Sequence, residues 1–389
     1  MAKKYYLSFH LTTNEILIEV VAFCSTNSFL VYKQKSSYQN LEALTNILLS
    51  FKTLCKSKLR FEKKKNELIT SLIIDESFND QLTFKLQQAE IFVKSNLVEF
   101  FQKSELDALM AKQDLDLKIF SKLNQQNIYF QTTTNLGEQK IYQHFPQGKI
   151  ASTVKQLALS TYVNKDHKLA YFIDLFEEYG FNLNYIFANN QTLLFNHNSN
   201  EVTKKILIKL EANSLIFSLV INNAVLDTKI ITFSIADIIS KVQQATNLDV
   251  QICELLLKST LENYDTLVTL DKTSLSKNQK LCLQIIEHLI SKTNDVIKKF
   301  MLKNKIGWNH IYIAGHNQKL LAVALGKWAK HFEVIKGFES EVSLQTQGIM
   351  HYLEHFKIED NSQNNTISNF PLPRKTFFNK LKTIFSFKK

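Results

Sequence analysis

Short runs of alternating apolar and polar residues open the chain and predict strands. Within residues 4–35 the runs KYYLSFHL, EILIEVVAF and SFLVYKQK are separated at Thr12–Asn14 and at Ser25–Asn27. Alternation of this length between turn-forming residues is typical of half-buried strands joined by tight turns. We therefore predict a three-stranded meander, followed by a helix over about 41–55, where apolar residues recur near helical spacing.

The middle of the chain mixes the two periods, so strands and helices are predicted in turn. Ser104 precedes an apolar run at helical spacing, and we predict it to be the N-cap of a helix. Gly180 directly follows another such run, where glycine commonly ends a helix in the left-handed conformation. In chain order, the predicted elements are strands at 68–74 and 90–94, a helix at 104–113, three strand-like runs within 127–162 and a helix at 168–179.

A second meander follows in the later part of the chain. Residues 204–234 contain three apolar runs, separated at Glu211–Asn213 and at Asn222-Asn223. Two meander-bearing parts, each followed by helices, indicate a duplicated α/β fold. The remaining predicted elements are helices at 235–247, 249–258 and 277–303, a strand at 310–314, a helix at 318–329, a strand at 331–335 and a helix at 340–356.

The C-terminal residues form an amphipathic pattern behind a polar linker at 358–373. At 100° per residue, Phe377, Phe378, Leu381, Ile384 and Phe385 fall within an arc of about 120°, with lysines on its flanks. Such a helix lies in a membrane interface, with its aromatic face among the acyl chains and its lysines near anionic headgroups. We predict that this helix binds an anionic membrane surface through Phe377, Phe378, Leu381, Ile384, Phe385, Lys380, Lys382, Arg374 and Lys375.

The charge distribution also favours a C-terminal helix that binds an anionic membrane surface. The 389 residues carry a formal net charge of +11, of which the last sixteen residues contribute +6 and the rest 11 − 6 = +5. Nearly all basic residues are lysine, in a composition rich in Lys, Asn, Ile and Phe that A/T-rich coding also produces. Lysine richness alone is therefore weak support for a nucleic-acid partner, and none is predicted.

Cysteine usage and hydropathy favour a cytoplasmic chain. The four cysteines are far apart and form no C-x-x-C pair, so neither a disulfide nor a metal site is predicted. No run of about 18 apolar residues is available to span a bilayer. The N-terminal segment is too polar after Leu11 for a signal peptide. We predict a location on the cytoplasmic side, peripheral to the membrane.

Several short segments of the chain resemble the motifs of a known protein family. They are His10-Leu11-Thr12-Thr13, Pro146-Gln147-Gly148, Tyr179-Gly180-Phe181-Asn182-Leu183, Lys209-Leu210-Glu211-Ala212-Asn213-Ser214 and Ala314-Gly315-His316. In this order, over nearly the whole chain, they resemble the bacterial actin-like cell-division protein FtsA. The resemblance implies an actin-like α/β fold with duplicated ribonuclease H-like halves (ASKHA type), an FtsA-type inserted subdomain and a C-terminal amphipathic helix.

The resemblance also implies the domain organisation. An inserted subdomain interrupts the first half of the fold, and a small lobe interrupts the second half. The expected boundaries are 1–82 and 164–198 for the first half, 83–163 for the inserted subdomain, 199–245 and 304–357 for the second half, 246–303 for its small lobe, 358–373 for the linker and 374–389 for the membrane helix.

The phosphate loops of that family are altered in this chain. His10 and Thr12 replace the aspartate and glycine of the first loop, and Lys209 and Glu211 replace an aspartate and a glycine of the second. Glycine lets backbone N–H groups approach phosphates, and aspartate holds the metal. We therefore expect no catalytic residue, no ATP hydrolysis and no required cofactor. The residual loop positions are His10, Thr12, Thr13, Lys209, Glu211, Asn213, Ser214, Gly315 and His316.

The function implied by the resemblance is to tether FtsZ filaments to the cytoplasmic membrane at the division site. In the family, the small lobe of the second half binds the acidic and apolar C-terminal tail of the tubulin-like protein FtsZ. Lys292, Lys298 and Lys299 are then expected to contact that tail, and self-association into filaments is a further expectation. The alternative for these lysines is a solvated helix face.

Three other functions stay open at this point. One is an actin-like ATPase that binds ATP and Mg²⁺ and polymerises at the membrane. Another is a membrane adaptor outside division, such as the actin-like component of a pilus or secretion platform. The third is a zinc hydrolase, because His351, Glu354 and His355 form an H-x-x-E-H motif; that motif also needs a third ligand and a catalytic cleft.

Overall fold

The computed structural model describes most of the chain up to Asn361. Asn213, Gly315 and His316 lie outside the described residues, as do 362–373 of the predicted linker and the predicted membrane helix at 374–389. The described stretches are 4–24, 27–59, 67–195, 204–211, 214–222, 224–232, 235–270, 272–304, 310–314, 318–326, 332–335 and 341–361.

These stretches contain strands and helices in alternating groups. The strands are β1 (Lys4–Leu11), β2 (Glu15–Cys24), β3 (Asn27–Ser37), β4 (Glu67–Ile74), β5 (Leu82–Phe92), β6 (Phe120–Thr133), β7 (Gln139–Tyr142), β8 (Thr153–Asn164), β9 (Tyr185–Ala188), β10 (Lys204–Leu210), β11 (Ser214–Ile221), β12 (Ala224–Thr232), β13 (Ile311–Ala314) and β14 (Phe332–Val334). The helices are α1 (Leu41–Leu54), α2 (Phe101–Ala111), α3 (Lys168–Glu178), α4 (Asn189–Leu194), α5 (Ile235–Thr246), α6 (Val250–Glu262), α7 (Tyr264–Thr269), α8 (Lys277–Asn304), α9 (Gln318–Gly326) and α10 (Leu344–Asn361).

Two five-stranded sheets repeat the same topology. The first has the order β3-β2-β1-β4-β9, with β1 antiparallel to β2 and parallel to β4. The second has the order β12-β11-β10-β13-β14, with β10 antiparallel to β11 and parallel to β13. Each sheet thus begins with a three-stranded meander and continues with parallel strands. This duplication of a ribonuclease H-like sheet is the actin-like fold, as the sequence predicted.

A third sheet is inserted into the first half. It has the order β5-β8-β6-β7, is antiparallel throughout and lies between β4 and α3 in the chain. Helix α2 covers one face, where Leu106 and Met110 pack with Ala89 and Ile91 of β5. Helices α5 to α8 form a second insertion, the small lobe, between β12 and β13. The structure therefore has an insertion in each half.

Each half also receives a helix from the other half. Leu193 of α4 packs against the second sheet, in a cluster with Leu207 and Val220. In return, Ile349 of α10 packs against the first sheet, in a cluster with Tyr6. The exchange places the last helix of each half in the hydrophobic core of the other, so neither half can lose its partner without exposing apolar surface.

A buried carboxylate holds the start of α10. Glu19 of β2 accepts hydrogen bonds from Ser343 N at 3.0 Å and from Thr346 Oγ1 at 2.7 Å. Lys33 of β3 completes the arrangement, with its Nζ 3.1 Å from Glu19 Oε1. Unpaired N–H groups at a helix start favour a negative charge. Glu19 therefore stabilises α10 and fixes it to the first sheet.

Both predicted meanders, the helix after each of them and the predicted end of α3 are confirmed. Gly180 has a φ of +80° in the left-handed region, where only glycine is free of Cβ strain. Its N–H donates to Glu177 O at 2.9 Å, and Phe181 N donates to Phe176 O at 2.8 Å. These two hydrogen bonds form the Schellman arrangement that ends a helix.

Some boundaries were predicted wrongly. Helix α2 begins at Phe101 rather than at Ser104, because the Gln102 side chain accepts from Glu99 N at 2.7 Å and fixes an earlier start. Strand β5 begins at Leu82 rather than at 90. Helix α10 continues to Asn361, past the predicted linker start at 358. The short elements β9, α4 and α7 were not predicted.

Candidate functional site

Residues from both halves meet at a cleft between the two sheets. His10 lies near the end of β1, and Lys209 lies near the end of β10. Asp75 and Glu76 directly follow β4, which runs parallel to β1. Asn189 begins α4 at the end of β9, also parallel to β4. Because parallel strands end at the same edge of a sheet, polar side chains at these ends collect in one place.

A buried ion pair joins the two halves across this cleft. Lys209 Nζ lies 2.7 Å from Glu76 Oε2 and 3.3 Å from Glu211 Oε1. Lys209 and Glu76 are 133 residues apart in sequence, and their side chains are only 3% and 7% exposed. Asn189 Nδ2 donates to the same oxygen of Glu76 at 3.0 Å. Glu76 therefore accepts two hydrogen bonds where the two halves meet.

The two charges of the pair depend on each other. Burial lowers the pKa of Lys209, but the carboxylates of Glu76, Glu211 and Asp75 outweigh burial and raise this pKa above its usual value. Burial raises the pKa of Glu76, and the ammonium group of Lys209 opposes that rise. An ion taken out of water costs several kcal/mol unless it is paired. Each of these ions is thus stable in the cleft only beside the other.

Asp75 is the second carboxylate of the cleft and has its own donors. Its Oδ1 accepts from Ser77 N at 3.0 Å, and its Oδ2 accepts from Asn189 Nδ2 at 3.3 Å. His10 Nε2 lies 3.8 Å from Asp75 Oδ2. Burial pushes the pKa of Asp75 upward, but His10, Lys209 and the Ser77 N–H outweigh burial and hold it well below its usual range. Asp75 is therefore a stable carboxylate at neutral pH.

The first turn, which sequence places at a phosphate loop, is closed by its own hydrogen bonds. Thr12 N donates to Glu15 O at 2.9 Å, and Thr13 N donates to Ser77 Oγ at 3.2 Å. Asn14 N and Glu15 N both donate to Thr12 Oγ1, at 3.3 and 2.9 Å. A phosphate-binding loop points several unpaired N–H groups into one concavity. All four N–H groups of this turn donate within the protein instead.

A narrow crevice runs beside the ion pair. Asp75, Glu76, Asn190, Val225 and Thr228 are among the residues that line it, and it encloses about 250 Å³ including space open to solvent. Pockets for small-molecule ligands usually occupy roughly 300–1,000 Å³. The described part of the cleft is therefore smaller than an ordinary ligand site.

The structure brings some of the predicted loop positions together and leaves others apart. His10, Lys209 and Glu211 converge on Asp75 and Glu76. The remaining described positions belong to the flanking turns and do not enter the ion-pair network; they are Thr12, Thr13 and Ser214. Three positions lie outside the described residues, namely Asn213, Gly315 and His316.

Sequence reasoning missed three residues of the cleft: Asp75, Glu76 and Asn189. Two adjacent acids immediately after the buried run LITSLII were a usable signal, because the end of a buried parallel strand is a common place for functional side chains. Asn189 gave no comparable signal, since β9 and α4 are too short to be recognised by periodicity.

The small lobe contains an open groove between α5 and α8. Leu281, Ile285 and Leu289 form its apolar floor, and the groove encloses about 530 Å³ including space open to solvent. Exposed polar side chains stand at its rim, namely Lys241, Gln284 and His288. An apolar floor with a basic rim is typical of a surface that receives a peptide.

Two of the three predicted partner-binding lysines lie on the groove face of α8. Lys292 and Lys299 are exposed and follow His288 by four and eleven residues, which places them within about 40° of it around the helix. Asp295 is exposed on the same face between them. Lys298 lies about 80° away around the helix axis. Lys298 therefore belongs to a neighbouring face of α8.

The described residues contain no group of three or more His, Cys, Asp and Glu side chains that could hold a metal ion. His351 and Glu354 lie on α10, which packs against the first sheet, and the side chain of His355 is not described. The described cysteines Cys55, Cys253 and Cys282 carry free thiols. Among the described helices, none has the length and apolarity needed to cross a bilayer.

Comparison with known proteins adds structural neighbours of low identity. No protein-family model matches the chain, and no curated protein matches it. A PilM–PilN type IV pilus biogenesis complex is 12% identical, with 90% of this chain and 95% of that chain covered and a TM-score of 0.43. MreB5 of Spiroplasma citri bound to AMPPNP is 9% identical over 92% and 98% of the two chains, with a TM-score of 0.44. A Bacteroides thetaiotaomicron protein described as having an actin-like ATPase fold is 9% identical over 89% and 95%, with a TM-score of 0.38.

Proposed function

We propose that this protein is a non-hydrolysing actin-like scaffold that tethers FtsZ filaments to the cytoplasmic face of the membrane. The observation that carries the scaffold proposal is the buried ion pair between Lys209 and Glu76. In an actin-like ATPase, carboxylates at this cleft hold a metal and a nucleotide between the halves. Here a lysine of one half and a glutamate of the other occupy the cleft and bind each other directly.

The ion pair does without a ligand what a bound nucleotide does in such a fold. Lys209 belongs to β10 of the second half, and Glu76 follows β4 of the first half. Their attraction acts in a buried site, where screening by water is weak. The first turn supports the same proposal, because its N–H groups already donate to protein oxygens. The protein then acts by binding partners on its outer surfaces.

Two surfaces would provide the tether. The amphipathic pattern of 374–389, with its charge of +6, suits an anionic bilayer. The groove between α5 and α8, with Lys241 at its rim and Lys292 one helical turn beyond it on α8, suits an acidic and apolar peptide such as the FtsZ tail. One amphipathic helix binds a membrane weakly, so attachment along a filament would gain strength from multivalency.

Liposome co-sedimentation tests this proposal. Full-length protein and a form ending at Pro373 are mixed with anionic vesicles, with and without FtsZ. We expect only the full-length protein to sediment and to carry FtsZ with it. If neither form sediments, the membrane part of the proposal is wrong. If the full-length protein sediments without FtsZ, the protein is a membrane adaptor outside division, of the pilus or secretion kind.

A further inference from the structure

The end of the inserted sheet farthest from the first half carries exposed apolar side chains. Phe92, Thr153, Thr133 and Gln139 lie side by side in one row at this end. Strand β5 has 11 residues, so the row lies roughly 33 Å from the start of that strand. The apolar residues at and beyond this row form the distal tip, which consists of Phe92, Leu97, Phe100, Phe101, Leu136 and Ile150.

The segments that carry Leu97, Leu136 and Ile150 are joined to one another at the distal tip. Leu97 and Ile150 face each other in an antiparallel bridge. Asn135 Nδ2 donates to Asn96 Oδ1 at 3.4 Å, which joins the turn that carries Leu136 to the loop that carries Leu97. Backbone hydrogen bonds from Val93 N to Ser152 O at 2.8 Å and from Ala151 N to Asn96 O at 3.0 Å hold the loops together.

These side chains are not part of the hydrophobic core of the inserted subdomain. Leu136 is 89% exposed, Phe92 is 82% exposed and Ile150 is 73% exposed. The core lies on the other face of the sheet, where Ala89 and Ile91 of β5 pack beneath α2. Single exposed apolar residues are ordinary, but a cluster of large ones marks an interaction surface.

We infer that the distal tip inserts into the interface of a lipid bilayer as a second membrane contact. Its most exposed side chains lie at the last residue of β5 and in two loops at the end of the sheet, and a fluid bilayer surrounds such side chains without a complementary pocket. The interface also accepts lysines, whose apolar stems lie along the acyl chains while the ammonium stays among headgroups. Four lysines lie close in sequence to the apolar residues of the tip: Lys94, Lys103, Lys140 and Lys149.

Strand addition by a protein partner is hindered at the nearest sheet edge. β5 is the edge strand of the inserted sheet, and an edge strand is open to pairing with another chain. The Gln113 side chain occupies that edge, accepting from Gln88 N at 3.3 Å and donating to Gln88 O at 2.7 Å. A bilayer, which needs no strand pairing, is the occupant that this arrangement favours.

The two membrane contacts differ in charge. The tip lysines are balanced by Glu90, Glu99 and Glu138, so this region carries 4 − 3 = +1, against +6 for residues 374–389. Tip insertion therefore depends on apolar contact, and tail binding depends on anionic lipid and low salt. The tail contact rests on the proposed function, and the tip contact does not.

The test uses the full chain with a triple substitution, Phe92→Ser, Leu136→Ser and Ile150→Ser. Leu302→Ser and Leu255→Ser together are the matched control, because both side chains are exposed in the small lobe. A full-chain tail variant, Lys380→Glu with Lys382→Glu, separates the two contacts. Binding to vesicles with an anionic to neutral lipid ratio of about 30:70 is measured by co-sedimentation at low and at high salt. Circular dichroism checks that each variant is folded.

We expect the tip variant to bind vesicles about tenfold more weakly at high salt, where the tail contributes least, and the control to bind like wild type. We expect the tail variant to retain vesicle binding, and we expect that remaining binding to persist at high salt. Unchanged vesicle binding by a folded tip variant overturns the inference. Unchanged vesicle binding together with loss of self-association in sedimentation velocity also overturns it and makes the tip a contact between protein chains. Loss of all binding in the tail variant leaves the tail proposal standing and overturns the tip.

Discussion

The cleft between the halves and the groove of the small lobe are opposite kinds of surface. In the cleft, Lys209 and Glu76 are charged, buried and paired with each other, and the half-buried carboxylate of Asp75 lies beside them. In the groove, an apolar floor stays open, and Lys241 and His288 stand exposed at the rim. The charged groups of the cleft interact with each other, while the open apolar surface lies in the small lobe.

The difference between the cleft and the groove indicates which surface can gain free energy by binding a partner. A buried polar group that already has its partners gains little from a ligand, because it must first give up a hydrogen bond or an ion pair. An open apolar surface with unpaired charge around it gains from burial and from an oppositely charged partner. We therefore expect the cleft to hold the fold together and the groove to bind a partner.

We expect the largest effect on stability from removing one member of the ion pair in the cleft. Lys209→Met leaves the buried carboxylate of Glu76 without its cation, so the free energy of unfolding should fall by about 3–5 kcal/mol. Urea denaturation followed by circular dichroism measures this change. Lys258→Met, at an exposed position of α6, is the matched control.

A double variant sharpens the same prediction. Lys209→Met combined with Glu76→Leu removes both charges of the pair and should recover much of the lost stability, because no unpaired ion of the pair stays buried. A loss below about 1 kcal/mol in the single variant would falsify the view that the pair joins the halves.

Charge reversal at the groove tests whether the groove binds an acidic peptide. Lys241→Glu with Lys292→Glu places acids at the rim and should weaken binding of an acidic FtsZ-tail peptide about tenfold, or roughly 1.4 kcal/mol. Fluorescence anisotropy of the labelled peptide measures the affinity. Lys298→Glu is the internal control, since Lys298 lies on a neighbouring face of α8; an equal loss there would mean that the groove is not the site.

Acid titration tests whether Asp75 is held ionised. A carboxylate whose pKa is lowered by folding contributes stability that is present above its unfolded pKa and is lost as pH falls through the folded value. Between pH 5 and pH 2, Asp75→Asn should therefore lose about 1 kcal/mol less stability than wild type does. Stability at each pH comes from urea unfolding, and the exposed Asp80→Asn serves as control. Parallel curves for wild type and Asp75→Asn would contradict the prediction.

The smallest expected effect is that of ATP. A ligand that binds the folded state raises the unfolding temperature by mass action. Since Lys209 and Glu76 occupy the cleft, millimolar ATP with Mg²⁺ should leave the unfolding temperature unchanged in differential scanning fluorimetry. A rise of more than about 2 °C would show that the cleft opens for a nucleotide.

The fold could be predicted largely from local pattern. Both meanders and the helices α1, α3 and α8 follow from periodicity, and Gly180 follows from the geometry of a helix end. Strand β9 and helix α4 could not be predicted, because four and six residues carry too little periodic signal. They exist because β9 pairs with β4 and because Leu193 and Leu194 pack against the second sheet.

The candidate site divides in the same way. The altered loop residues His10, Lys209 and Glu211 were visible in the sequence, and their chemistry was enough to predict a weakened nucleotide site. Their common partner was not visible, because Glu76 comes from the other half of the fold and is 133 residues away from Lys209. The groove likewise combines α5 with α8 and cannot be read from either helix alone.

Most of the longer elements, the duplication and the replaced phosphate-loop residues are visible in the sequence, because these depend on the types and spacing of neighbouring residues. The tertiary structure was needed to show that Lys209 is a buried cation rather than a solvated one, and that the segments carrying Leu97, Leu136 and Ile150 are joined. The physical reason is that burial and pairing depend on which distant segments pack together. The charge of a lysine is fixed by its chemistry, but the effect of that charge is fixed by its surroundings.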